Sequence, residues 1–229
     1  MPTNVIEDAN LRNKIGVFED RNDAGEHLAH MLEMLTGQDK IVLAIPSGGV
    51  PIGLAISSHL SLPFDLLIIR KIPIPGNTEA GFGAMSLEGD MILNDRIVMM
   101  LGLSKEEIKE LAESVRRELE YRNRIFRENK PWPNLNGKVV ILADDGLASG
   151  YTMITAARMV KRRNPKKIVV ATPTAALRTI DLIAKEVDMI FCLNIRTGSY
   201  FAVAEAYRNW HDLSRDEVID LLKDHKFLS

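Results

Sequence analysis

Hydrophobic positions along the chain follow two patterns that alternate. Short apolar runs are typical of strands buried on both faces, and apolar residues spaced three or four apart are typical of one face of a helix. The runs predict strands at residues 40–45, 65–70, 139–143, 167–171 and 189–193. The spaced positions predict helices at residues 24–35, 51–60, 104–126, 152–163 and 175–186. Strands alternating with helices indicate an α/β fold with a mostly parallel central sheet flanked by helices.

One segment, at residues 71–94, breaks this alternation. It contains prolines and several glycines with little apolar periodicity, so we expect a long loop or a loose hairpin there. Loops of this length within a compact domain are usually functional, which makes the segment a candidate mobile lid over a site. We expect a single domain over residues 1–229, with a core at about 38–195 and a C-terminal cap at about 194–229.

Two predicted helices carry polar faces that we expect to meet solvent. Along residues 104–126, pairs of opposite charge lie four apart, such as Glu118 with Arg122, and indicate a solvated face rather than a binding groove. On an earlier helix, His27 and His30 lie three residues apart. The sequence offers them no third ligand, so we expect no metal site there.

Composition narrows the classes of function. The formal net charge is −2, so the chain lacks the broad basic surface of most nucleic-acid-binding proteins, and an anionic ligand would need a local site. A lone cysteine excludes an internal disulfide framework and favours a reducing, cytoplasmic compartment. The apolar runs are far shorter than the roughly 18 residues of a membrane-spanning helix, so we expect neither a membrane protein nor a secreted one.

The strongest chemical signal lies between the strand at 139–143 and the helix that follows it. Asp144 and Asp145 come directly after the strand, and a loop rich in glycine and hydroxyl side chains leads to Thr152. Glycines allow a tight turn, and the N–H groups at a helix N-terminus favour a phosphate. Two carboxylates must face a metal or a donor-rich part of the ligand instead, and a ribose diol fits. The order predicts a clamp for a ribose 5-phosphate.

The run VVILADDGLASGYTM resembles the phosphoribosyl pyrophosphate (PRPP) motif of the type I phosphoribosyltransferase family, and its loop is most similar to that of adenine phosphoribosyltransferase. Two further parts occur in order. IPSGG at 45–49 resembles the pyrophosphate loop, and Arg70 with Lys71 resembles the basic pair before the mobile catalytic loop. The stretch from RKIPIPGN to SYFAVAEAY is similar to predicted phosphoribosyltransferases of unassigned substrate, and the resemblance covers about residues 40–203.

The resemblance implies a type I phosphoribosyltransferase-like fold with a long mobile loop and a C-terminal hood. It implies transfer of 5-phosphoribosyl from PRPP to a nitrogen of a small, nucleobase-like heteroaromatic acceptor, with release of pyrophosphate. The residues it implies in catalysis are Arg70, Lys71, Glu79, Asp144 and Asp145. The residues it implies in binding PRPP are Ser47, Gly48, Gly49, Asp144, Asp145, Gly146, Leu147, Ala148, Ser149, Gly150, Tyr151 and Thr152. Tyr200 and Phe201 in the hood could stack on the acceptor, or could equally be core residues.

The same resemblance implies Mg²⁺ as the cofactor, held mainly by PRPP and reaching Asp144 and Asp145 at most through water, and it implies a homodimer. Some purine-specific members have an aspartate where this loop has Ala148, so no general base is visible. Either none is needed, or it comes from the mobile loop or the hood. Two alternatives are a non-catalytic regulatory protein that binds PRPP or a nucleotide, and phosphoryl transfer or hydrolysis through a metal on the two aspartates.

Overall fold

The computed structural model describes residues 2–37 and 39–228, and gives side chains for these except at 78–80. The strands are β1 (Val5–Glu7), β2 (Lys40–Ala44), β3 (Phe64–Leu66), β4 (Ile69–Ile74), β5 (Asn77–Ser86), β6 (Met91–Leu93), β7 (Val139–Ala143), β8 (Lys167–Ala176) and β9 (Met189–Arg196). The helices are α1 (Arg21–Leu32), α2 (Gly49–Leu60), α3 (Asp95–Leu101), α4 (Lys105–Arg127), α5 (Tyr151–Lys161), α6 (Leu177–Ile183) and α7 (Arg215–Asp224), with a short 3-10 helix at Val203–Ala206.

The central sheet has six strands in the order β1-β9-β8-β7-β2-β3, and each neighbouring pair is parallel. This confirms the predicted α/β class. Ala44 at the end of β2 pairs with Ala143 at the end of β7, which in turn pairs with Ala171 on β8. Because these positions are in register at the carboxyl edge, the turns after β2 and β7 begin side by side.

Helices cover both faces of this sheet, as the continuous apolar runs of its strands require. Val42 on β2 packs with Ile52 of α2 and Leu28 of α1, whereas Leu43 points the other way and packs in the cluster that contains Met153 of α5. All five side chains are buried. This alternation along β2 fixes which helix covers which face.

Of the two alternatives predicted for residues 71–94, the structure has a hairpin, to which a third strand is added, and not a long loop. These residues form most of a three-stranded antiparallel sheet in the order β4-β5-β6, and Ile72 and Phe82 are buried in it. The glycines that indicate a loop have another role. A Cβ on Gly83 would lie 2.4 Å from the carbonyl oxygen of Ile92, so glycine lets β5 and β6 approach. Movement of this segment over a ligand stays a prediction.

Two element boundaries also differ from the prediction. The expected strand at 65–70 is two strands, since the chain leaves the central sheet after β3 and enters the second sheet as β4. The strand predicted at 167–171 continues to Ala176, which shortens the following helix. Thr174 explains the extension, because it pairs with Asn194 on β9 and its hydroxyl donates to the Asn194 carbonyl oxygen at 3.1 Å.

The C-terminal segment packs against the body of the protein. Tyr207, Val218 and Leu222 are buried, the latter two in a cluster shared with α4 and β5. The Ser214 hydroxyl accepts from the Glu217 N–H, and this capping box starts α7. Within the part of the chain that the structure describes, none of the helices combines the length and the apolar content that a membrane crossing needs.

Candidate active site

A cavity of about 370 Å³ opens where the turns after β2 and β7 meet the start of β4. Predicted site residues that line it together are Ser47, Gly48, Arg70, Lys71, Asp144, Asp145 and Thr152. The backbone holds the two turns side by side, because the Ile45 N–H donates to the Ala143 carbonyl oxygen at 3.0 Å. The sequence therefore predicts that these seven residues belong to one site. Their chemical roles stay predictions.

Gly48 brings the two turns into direct contact. A Cβ at this position would lie 1.8 Å from Asp145 Oδ2, which is far inside any van der Waals contact. Gly49 is also tight, since a Cβ there would lie 2.6 Å from the Ala143 carbonyl oxygen. The glycine pair is thus required by the aspartate loop packed against it.

We expect Gly48→Ala to displace the Asp145 carboxylate and weaken ligand binding at the cavity. Calorimetric titration of ribose 5-phosphate would measure this, with circular dichroism confirming that the variant folds. Gly198→Ala is the matched control, because the nearest atom to a Cβ there is 3.5 Å away. Equal affinities of the two variants would contradict a coupling between the turns.

Arg21, the first residue of α1, is the main partner of Asp145. Its Nε donates to Asp145 Oδ2 at 2.8 Å, and the two side chains are 8% and 14% exposed. The guanidinium also lies 3.9 Å from the ring centroid of Trp210, and its Nη1 donates to the His211 carbonyl oxygen at 2.9 Å. From the C-terminal segment, the Tyr207 hydroxyl donates to the Asp145 carbonyl oxygen at 2.6 Å. Asp145 is therefore fixed at both its side chain and its backbone.

The two aspartates differ in their electrostatic surroundings. Burial, together with the neighbouring charge of Asp145, raises the pKa of Asp144 well above its ordinary value. Burial also raises the pKa of Asp145, but the charge and the hydrogen bond of Arg21 oppose that shift. A hydroxyl donor or a cation beside Asp144 would favour its ionised form. Both carboxylates therefore suit a ligand that brings hydrogen-bond donors or positive charge.

Basic side chains line the other side of the cavity. Arg70 lies on β4, and Arg122 reaches the cavity from α4. Glu118 receives three guanidinium groups, from Arg70 at 3.7 Å, from Arg122 at 3.0 Å and from Arg215 at 3.2 Å. Burial and the charge of Arg122 lower the pKa of Arg70. One carboxylate facing three cations leaves an excess of positive charge, which favours an anion.

Arg122 corrects the interpretation of the long helix. The expected pair with Glu118 is present, but it lies at the edge of the cavity and the Arg122 side chain is 15% exposed. Spacing along a helix reports which residues share a face, and says nothing about what that face meets. The face of α4 around Arg122 therefore belongs to the site rather than to open solvent.

The loop between Asp145 and Thr152 is held from two directions. Leu147 is buried, and its N–H donates to the Thr174 carbonyl oxygen at 3.0 Å. A Cβ on Gly146 would lie 2.4 Å from Val203 of the 3-10 helix, so the C-terminal segment rests on this loop. Gly150, at φ +82°, then turns the chain into α5. Thr152, in the first turn of α5, lines the cavity, so the N-terminus of this helix lies at the cavity edge.

The remaining predicted residues lie elsewhere. Residues 146–151 connect lining residues without lining the cavity themselves. Tyr200 is 72% exposed and Phe201 is half-buried, and neither lines the cavity, so a role for either in acceptor binding stays a prediction. The side chain of Glu79 falls outside the described residues.

Mg²⁺ fits the donor set of this cavity. Carboxylate oxygens are the ligands that Mg²⁺ prefers, and it usually keeps several waters and shares its coordination with phosphate oxygens. Asp144 and Asp145 supply such oxygens next to a side of the cavity suited to anions. Burial and the charge of Asp145 both raise the pKa of Asp144, and a cation bound there would oppose that shift by stabilising the ionised carboxylate.

The fold and the cavity together define a class of protein. A fully parallel central sheet, with acidic and basic groups meeting at its carboxyl edge beside two helix N-termini, is typical of proteins that bind phosphorylated ligands. Residues 19–208 match the model of the phosphoribosyl transferase domain, so the chain belongs to that family. The predicted family is confirmed.

Relatives agree with this assignment. The chain is 33% identical over 206 residues to a protein of Mycobacterium tuberculosis that is provisionally named a phosphoribosyl transferase. The match covers 90% of this chain and 46% of that protein, so the chain spans about half the length of the curated relatives it matches. The crystal structure of TT1426 from Thermus thermophilus is similar, with a TM-score of 0.73 and 27% identity over 90% of this chain and 98% of that one.

Proposed function

We propose that this protein transfers the 5-phosphoribosyl group of PRPP to a nitrogen of a small heteroaromatic acceptor. The observation that supports this best is the meeting of the aspartate pair, the glycine turn and the Arg70–Lys71 pair in one cavity of about 370 Å³. That combination offers acceptors for the hydroxyls of a sugar and donors for two separate phosphate groups. The proposal includes the cytoplasmic location and the homodimeric state that we expect from the sequence.

Each part of the cavity has a place in binding PRPP. Asp144 and Asp145 accept hydrogen bonds from the 2′- and 3′-hydroxyls of the ribose. The N–H groups at the start of α5, with the Thr152 hydroxyl, receive the 5′-phosphate. The turn at Ser47 and Gly48 receives the pyrophosphate, together with the basic side. Arg122 also lines the cavity and joins Arg70 and Lys71 in binding the pyrophosphate.

In the proposed reaction, the bond between C1′ and the pyrophosphate oxygen breaks, and its electron pair leaves with the pyrophosphate. The acceptor nitrogen forms a bond to C1′ from the opposite face and gives up its proton to water or to the released pyrophosphate. Positive charge develops on the sugar and negative charge on the leaving group. The aspartates therefore orient the sugar, while Arg70, Lys71 and Arg122 stabilise the leaving group. Bound Mg²⁺, reached through water by Asp144 and Asp145, would neutralise further charge on the pyrophosphate.

The test is to measure pyrophosphate release from PRPP and Mg²⁺ in the presence of a panel of purine, pyrimidine and other heteroaromatic bases. We expect release that depends on one class of base, and thermal stabilisation by PRPP before any base is added. Stabilisation without release under any base would contradict the transfer reaction and indicate a regulatory protein that binds PRPP. Neither release nor stabilisation would contradict the assignment of the cavity to PRPP.

A further inference from the structure

Histidine and carboxylate side chains gather where the ends of α1 and α2 lie side by side, outside the cavity described above. His30 lies in the last turn of α1, Glu33 follows that helix directly, and His59 lies in the last turn of α2. One ligand atom from each of the three lies within 4.8 Å of the others. The third ligand that the sequence could not offer thus comes from a second helix. His27 is not part of the group, since its Nδ1 faces Asp23 instead.

Glu33 bridges the two histidines, because its Oε1 lies within hydrogen-bond distance of a ring nitrogen of each. Glu33 Oε1 lies 3.2 Å from His30 Nδ1 and 2.8 Å from His59 Nε2. Zinc binds imidazole nitrogen and carboxylate oxygen at about 2.0–2.2 Å, so neighbouring ligand atoms of a tetrahedral site are about 3.3 Å apart. A small outward movement of the exposed Glu33 side chain would therefore admit an ion between the three atoms.

Glu26 provides a second and independent observation. Its Oε2 lies 3.3 Å from His59 Nδ1, which is the ring nitrogen on the far side from Glu33. A histidine that binds a metal nearly always donates its other N–H to a carboxylate, carbonyl or water, which fixes the tautomer and orients the ring. Glu26 holds His59 in this way, and the other ring nitrogen, Nε2, faces Glu33. The His59 side chain is 23% exposed, so its ring has little freedom to turn away.

We propose that His30, Glu33 and His59 bind a divalent transition-metal ion, with water at the fourth position. Two imidazoles with one carboxylate favour Zn²⁺ over Mg²⁺ or Ca²⁺, which prefer oxygen ligands alone. The ion would tie the end of α1 to the end of α2. At 1.5 Å per residue, the 12 residues of α1 place it about 18 Å along the helix from Arg21, so its role is structural and does not depend on the proposed transfer reaction.

Calorimetric titration of Zn²⁺ into untagged, EDTA-treated protein tests the site, together with the visible absorption of Co²⁺ as a geometric probe. We expect one ion per chain, a four-coordinate Co²⁺ spectrum and a higher melting temperature with Zn²⁺. His59→Gln should abolish all three, and Glu26→Gln should lower the affinity about 10-fold or more. His27→Gln is the matched control, because His27 lies on α1 with Glu26 and His30. This variant should bind Zn²⁺ as tightly as the unmodified protein does.

Metal-free melting curves of each variant show whether it folds, and His30→Gln, at a more exposed position, replaces His59→Gln if that variant does not. Absence of Zn²⁺ binding by the unmodified protein would overturn the proposal. So would binding that survives His59→Gln, or binding that is lost in His27→Gln, because either result places the ion on other residues. Unchanged affinity in Glu26→Gln would overturn the assignment of Glu26 as the group that orients His59.

Discussion

Asp144→Asn is expected to lower kcat/KM for PRPP at least about 100-fold while leaving the protein as stable as before, or more stable. A hydrogen bond from a ribose hydroxyl to a charged carboxylate contributes roughly 1.5–3 kcal/mol, about twice the value for a neutral amide. The substitution also removes the negative charge that Asp144 would present to Mg²⁺. Steady-state pyrophosphate release over a range of PRPP concentrations measures the first effect. Chemical denaturation measures the second.

The expected gain in stability comes from the raised pKa of Asp144. A carboxyl group whose pKa is higher in the folded state than in the unfolded state binds its proton more tightly when folded, so folding is penalised at any pH where the unfolded group is ionised. Asparagine removes that penalty. The advantage of the variant should vanish below about pH 4, where the unfolded carboxyl is protonated, and should grow as the pH rises from there toward the raised pKa of the folded group. A variant that loses stability at neutral pH would show that Asp144 supports the fold instead.

Arg21→Met is expected to lower the free energy of unfolding by about 3 kcal/mol, because it leaves the Asp145 carboxylate buried without its partner. Methionine keeps an unbranched apolar side chain against the Trp210 ring, so the change removes mainly charge. The double variant Arg21→Met with Asp145→Asn should recover most of the loss. Urea denaturation of the two single variants and the double variant gives the coupling energy directly.

The control for this cycle is Arg208→Met. Arg208 also pairs with a carboxylate, that of Glu19, but both side chains are more than half exposed, so solvent screens the pair and its removal should change stability little. If Arg21→Met and Arg208→Met have equal effects, the Arg21–Asp145 pair does not hold the aspartate loop. If the double variant is no more stable than Arg21→Met alone, the loss has another cause, such as altered packing on Trp210.

The sequence could predict the site residues that lie close together in short segments of the chain. Asp144 and Asp145 come directly after β7, and Thr152 lies at the start of the next helix, α5. Ser47 and Gly48 likewise lie between β2 and α2. Since both strands are parallel and adjacent, prediction of the strands also predicts that their turns meet. Arg70 and Lys71 lie in β4 of the second sheet, so the family resemblance predicts their place in the site and the order of parallel strands does not.

Residues that reach the site through tertiary packing could not be predicted in this way. Arg21 belongs to a helix that precedes every strand of the site, and nothing in its local sequence distinguishes it from a solvated arginine. Arg122 carries a misleading signal, because the pair with Glu118 is typical of a surface helix. Tyr207 lies within the predicted C-terminal cap, but a single tyrosine does not reveal that its hydroxyl reaches the Asp145 backbone.

The second sheet shows a different limit. Glycine and proline usually interrupt strands, so a segment rich in both is typical of a loop. Here Gly83 occupies a point where two strands nearly touch, and Pro73 lies at a change of register between β4 and β5. The residues that conceal the sheet in the sequence are the ones that its close and irregular pairing needs.

The shared register of β2, β7 and β8 determines where the chain can tolerate a change in length. Ala44, Ala143 and Ala171 pair across the sheet, and the site begins one residue beyond the first two. Inserting one residue within β7 would move Asp144 and Asp145 by about 3.3 Å or, if the aspartates kept their place, would turn the core side chains before the insertion to the opposite face. Lengthening the connection before β7 at its exposed residues 136–137, at the opposite edge of the sheet, would leave both the aspartates and the buried Leu135 in place. Length variation among relatives should therefore collect in that connection and avoid the strand itself.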